Sequence, residues 1–63
     1  MPTIQDALSE LLAAHGFETM AREVKTETDK SRLSRYARVI LKATPEGDIK
    51  RRLWRNFKLS GLI

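Results

Sequence analysis

The chain has no cysteine, which removes a disulfide framework and a thiolate metal site and suits a reducing compartment. Its one histidine, His15, has no second histidine and no suitably spaced acid cluster beside it, so no metal site is assigned. No apolar run approaches the roughly 18 residues that span a bilayer. The N-terminus also lacks the basic stretch and apolar run of a signal peptide. These absences read as a cytoplasmic chain with no membrane attachment. Catalytic equipment is missing too. There is no glycine-rich phosphate loop of either usual spacing, and Ser9, Ser31, Ser34 and Ser60 have only His15 as a candidate base, with no motif around it. Acid pairs such as Glu23 and Glu27 are ordinary surface residues far more often than catalytic ones. The expectation is a non-enzymatic protein with no catalytic residue and no cofactor.

What is present is charge, unevenly placed. The 63 residues carry a net +4. Residues 1–33 hold four Lys/Arg against six acids, net −2, while residues 34–63 hold eight against Glu46 and Asp48, net +6. Such asymmetry points to a polyanionic partner more than the total does; the plain alternative is that the halves neutralise each other in the fold. The length allows one domain, 1–63. A chain this short buries only about 60% of its unfolded surface, so homodimerisation or a partner would add to its stability.

Thr3 to Ala14 reads as an amphipathic helix, about residues 3–14. Thr3 is a good N-cap, Asp6 completes a capping-box pattern, and Ile4, Ala7, Leu8, Leu11 and Leu12 fall on one stripe. Gly16 is placed to end it in left-handed conformation, with Phe17 folding back on Leu12. From residue 18 to 26, Met20, Arg22 and Val24 alternate against Ala21, Glu23 and Lys25, which reads as a strand, although Glu18 to Lys25 also fits a helix. Thr28-Asp29-Lys30-Ser31 is a polar turn.

Tyr36 to Leu59 organises the rest. Pro45-Glu46-Gly47 fits a three-residue hairpin loop, with Gly47 as the left-handed bulge residue, joining strands of about 35–44 and 48–58. Thr44 would face Asp48, Lys42 would face Lys50, and Arg38 would face Trp54. Alternation then gives a core face of Ala37, Val39, Leu41, Ala43, Ile49, Leu53 and Phe57, interrupted by Arg51 and Arg55. The other face carries Tyr36, Arg38, Ile40, Lys42, Lys50, Arg52, Trp54, Asn56 and Lys58. The fold expected is α+β, one N-terminal helix packed on a three-stranded antiparallel sheet (αβββ). The alternative is an all-α domain, because Ile49, Leu53 and Phe57 recur every four residues and Arg and Leu are good helix formers. An αβββ order with a basic surface is similar to the double-stranded-RNA-binding domain in element order alone. That family's closing helix has no counterpart after Leu59, so no residue role carries over.

The functional expectation rests on the cationic face. Arg38, Lys42, Lys50, Arg52 and Lys58 would hold phosphates, while Trp54 and Tyr36 offer rings on which a base stacks, giving a nucleic-acid surface for DNA or RNA. The alternative is a protein partner. Beginning at Met1, the chain reads as a complete small protein, and it would serve as an inhibitor or adaptor, for example one encoded by a phage or mobile element, docking on a larger nucleic-acid-processing protein.

Overall fold

The structure is a computed structural model that describes residues 3–63; Met1 and Pro2, which the domain span read from the sequence includes, lie outside the described residues. Four helices follow one another: α1 (Ile4–Ala14), α2 (Glu18–Val24), α3 (Lys30–Ala43) and α4 (Asp48–Leu59). No strand occurs among the described residues. The expected αβββ sheet is therefore corrected to an all-helical domain, the arrangement weighed above as the alternative. The likeness of element order to the double-stranded-RNA-binding domain lapses with the sheet.

Helix α1 begins as its sequence indicates. The Thr3 hydroxyl accepts from the Asp6 N–H at 3.1 Å, and the Thr3 N–H donates to the Asp6 carboxylate at 3.4 Å, a reciprocal capping box. It ends at Gly16, whose φ of +86° lets the Phe17 N–H reach back to the Leu12 carbonyl at 2.9 Å and its own N–H reach Ala13 at 3.0 Å, the Schellman arrangement. The inward face is turned from the stripe read from the sequence. Leu8, Ser9 and Leu12 are buried, whereas Ile4 and Ala7 are exposed. The reason is polar: Ser9 Oγ donates to the Ala21 carbonyl at 2.7 Å, and Gln5 Nε2 donates to the Glu27 carbonyl at 3.0 Å. These bonds tie α1 to α2 and to the segment that follows it.

The strand expected over residues 18–26 is helix α2. Ala21 and Val24, three apart, both face the core; a strand would send them to opposite sides. The strand expected over 35–44 is helix α3 as far as Ala43, with Thr44 as its cap. Asp29 caps it by accepting from the Ser31 N–H at 3.0 Å, and Leu33, Ala37 and Ile40 form its buried line at the spacing of a helix face. The β-branched Val39-Ile40 pair is tolerated because Ile40 is fully buried and packing outweighs a weak propensity.

Pro45-Glu46-Gly47 is a chain break, as expected, but it joins two helices instead of two strands. Proline keeps Thr44 extended, at φ −87° and ψ 129°, which closes α3. Gly47 is not the left-handed bulge residue. It sits at φ 151° and ψ −170° as the residue before α4, a region essentially reserved for glycine. The strand expected over 48–58 is α4. A strand puts Arg51 and Arg55 on the core face, whereas a helix carries both outward, and both are exposed. The cross-strand pairs Thr44–Asp48, Lys42–Lys50 and Arg38–Trp54 lapse accordingly. Of the expected core face, Ala37 and Phe57 are buried, Val39, Leu41 and Leu53 are half-buried, and Ala43 and Ile49 are exposed. Ile40, expected on the outer face, is at the centre. The core comprises Leu8, Leu12, Ala21, Val24, Leu33, Ala37, Ile40, Phe57 and Leu62. Leu62 reaches it because α4 ends like α1, with the Leu62 N–H bonded to the Phe57 carbonyl at 2.9 Å.

Candidate nucleic-acid interface

Helix geometry sorts the charges. Residues 3–29, with α1 and α2, hold Arg22 and Lys25 against Asp6, Glu10, Glu18, Glu23, Glu27 and Asp29, net −4. Residues 30–63, with α3 and α4, hold ten Lys/Arg against Glu46 and Asp48, net +8. On α3 the side opposite Leu33, Ala37 and Ile40 presents Arg35, Arg38 and Lys42, all exposed. On α4, Lys50, Trp54 and Lys58 follow one another at four-residue steps and so share a stripe, with Arg51 and Arg55 beside it. The helix is about 18 Å long.

Few of these cations are neutralised. Lys50 Nζ lies 2.8 Å from Glu46, Arg51 lies 3.7 Å from Asp48, and Arg32 lies 3.5 Å from Glu27. The Lys50 hydrogen bond, and then its charge, hold the Glu46 carboxyl below its ordinary pKa, so this pair stays ionised. Among the described residues, Lys30, Arg35, Arg38, Lys42, Arg52, Arg55 and Lys58 have no carboxylate within 4.0 Å. Trp54 is 49% exposed, and Lys58 Nζ stands 4.7 Å from its ring centroid, a cation–π contact.

The residues singled out from the sequence therefore divide into three groups. Lys50, Trp54 and Lys58 are brought together on α4. Arg38 and Lys42 are brought together on α3, four residues apart. Arg52, two residues from Trp54, points from another side of α4. Tyr36 leaves the set altogether: its hydroxyl donates to a Glu23 carboxylate oxygen at 3.3 Å, towards the acidic α2. Burial, then the Glu23 charge, raise its pKa above the ordinary 10.0. Strand alternation sets Arg51 and Arg55 inward, whereas the helices expose Arg35, Arg51 and Arg55 alongside the cations named from the sequence. The four-residue spacing Arg51–Arg55, parallel to Lys50–Trp54–Lys58, was the signal that could have found them.

Elsewhere the polar side chains are structural. His15 is the capping residue of α1, and its Nε2 lies 3.3 Å from Thr44 Oγ1. Thr44 Oγ1 already donates to the Ile40 carbonyl at 2.7 Å, so the proton in the His15 contact belongs to the ring nitrogen. No group of three His, Cys, Asp or Glu gathers among the described residues. No helix among them is long and apolar enough to cross a membrane. The surface thus offers exposed guanidinium and ammonium groups on two helices and one accessible indole, which suits contact with phosphates and a flat ring.

No family model, no curated protein and no solved structure matches this chain.

Proposed function

We propose that the chain is a small non-enzymatic binding protein that holds nucleic acid by its phosphates on the cationic surfaces of α3 and α4. One observation carries this reading: ten of the twelve Lys/Arg sit from residue 30 onward, and seven of those ten have no carboxylate partner among the described residues. Cations left unneutralised on a fold that does not need them release counterions when they meet phosphates. The proposal places the protein in the cytoplasm, where a cysteine-free chain is indifferent to the reducing poise. Titration with short single- and double-stranded oligonucleotides at two salt concentrations tests it. Log K should fall linearly with log salt, by about 0.7–0.9 per phosphate neutralised. The double substitution Arg38→Glu with Arg55→Glu should weaken binding and flatten that slope while the far-ultraviolet circular dichroism stays unchanged. Absence of binding at low salt, or a salt-independent affinity, sinks the reading.

A second reading, an inhibitor or adaptor that docks on a larger protein, is favoured by the exposure of Ile49 at 71% and Leu59 at 79%. Both lie on α4 beside the cations. Such a protein would form a stoichiometric complex with one partner and ignore free oligonucleotides.

A further inference from the structure

We infer that the pocket beside Trp54 takes an unpaired base, so that the nucleic acid held on α4 is single-stranded. The inference rests on the nucleic-acid reading above and narrows it to a class of ligand.

Trp54 is the only tryptophan of the chain, and it is half exposed in the middle of a basic helix that carries five Lys/Arg against Asp48. It takes no part in the buried core, so its large apolar ring contributes little to folding where it stands. The indole has two different neighbourhoods. Lys58, one turn towards the C-terminus, sets its ammonium 4.7 Å from the ring centroid. One turn towards the N-terminus, Trp54 borders an open pocket lined also by Glu46, Lys50, Arg51 and Arg55. That pocket is largely apolar in surface and cationic in surroundings, the combination a heteroaromatic base with a phosphate on either side requires. Lys50 and Lys58 are eight residues apart, about 12 Å along the axis, so positive charge flanks the ring in both directions. Lys58 and Arg55 have no carboxylate partner, whereas Lys50 is engaged by Glu46; phosphate contact therefore falls first to Arg55 and Lys58.

A duplex cannot use this arrangement. Its bases are stacked on each other and present only edges to the grooves, while an unpaired base has a free face for an aromatic side chain. Trp54 thus separates single from double strands, whereas the cations of α3 serve both.

The test uses the full chain with two probes at matched phosphate concentration: an oligothymidylate, and the same strand annealed to oligoadenylate. Since Trp54 is the sole indole, its fluorescence reports on the pocket alone. The single strand should quench the indole and bind more tightly than the duplex. Trp54→Ala should weaken single-strand binding roughly 5- to 150-fold and leave duplex binding nearly unchanged, while Trp54→Phe, which keeps a ring, should recover much of the loss. Arg38→Glu should weaken both probes. Equal affinity for both probes with an unquenched indole, or a Trp54→Ala loss below about twofold, overturns the inference, and if Arg38→Glu still weakens both probes the phosphate reading stands. If neither probe binds, both fail together.

Discussion

Helices α1 and α2 lie against each other closely, tied by Leu8, Leu12, Ala21 and Val24 and by the side-chain bond from Ser9, while Gln5 bonds the segment that follows α2. Helix α4 is held differently. Its backbone approaches only that of α3, no side-chain hydrogen bond joins it to another helix among the described residues, and its buried grip is Phe57, with Leu53 and Leu62 beside it. The first pair is acidic and polar-tied, and the last helix is basic and docked by a narrow apolar stripe. The difference separates two tasks. Residues of α1 and α2 hold the molecule together, while most of the α4 surface is free of structural duty and available to a partner.

The sharpest way to break this comparison is to remove the grip of α4. Phe57→Ala should cost about 3–5 kcal/mol, a large share of the stability of any domain this size, and a thermal melt would show it. Leu12→Ala, at the fully buried centre of the α1 contact, should cost about 2–5 kcal/mol. If Phe57→Ala left the melt unchanged, α4 would be an appendage with no apolar dock at Phe57.

A finer contrast sets Ser9 against Arg55. Ser9→Ala removes a buried hydrogen bond to the Ala21 carbonyl and should cost about 0.5–1.5 kcal/mol. Arg55→Ala touches an exposed residue without a carboxylate partner among the described residues and should stay within about 0.5 kcal/mol of wild type, while under the nucleic-acid proposal it should weaken oligonucleotide binding. Denaturant titration of the two variants side by side gives the answer; equal costs would erase the division between scaffold and surface.

The smallest expected effect is a pH dependence at the one hydrogen bond that joins the basic helix α3 to the acidic α2. The folded pKa of Tyr36 is raised above 10.0, by burial and then by Glu23. The stabilisation it contributes is therefore fully present below pH 10.0 and is lost as pH rises through the folded value. The difference in melting temperature between wild type and Tyr36→Phe should hold steady from neutral pH and shrink above pH 10.0. A difference that grows at alkaline pH contradicts the assignment.

Much of this molecule was legible along the chain, unevenly. Thr3 and Asp6 announced the start of α1 and Gly16 its end, because caps satisfy backbone groups within a few residues of themselves. The basic character of the second half was equally plain. The misreading came at Tyr36 to Leu59, where both periods are present in one stretch. Val39, Leu41 and Ala43 alternate as a strand does, while Leu33, Ala37 and Ile40 step as a helix does. The first period sets Ile40 outward and Arg51 and Arg55 inward and puts Arg52 and Tyr36 on one face with Trp54; in the helices Ile40 is buried, Arg51 and Arg55 are exposed, and Tyr36 turns to Glu23.

By itself the sequence determined where the chain must break and how its charge is shared. Thr44-Pro45 and Gly47 interrupt any regular element through backbone sterics, and ten of the twelve cations follow residue 29 in any fold. Only the tertiary structure decided what the break at Pro45-Glu46-Gly47 connects, since two strands or two helices accept it equally well. That choice rests on Ala37, Ile40 and Phe57 being buried with Leu8 and Leu12. Those residues are remote in sequence, and the free energy of bringing them together is a property of the packed core, which no local window contains.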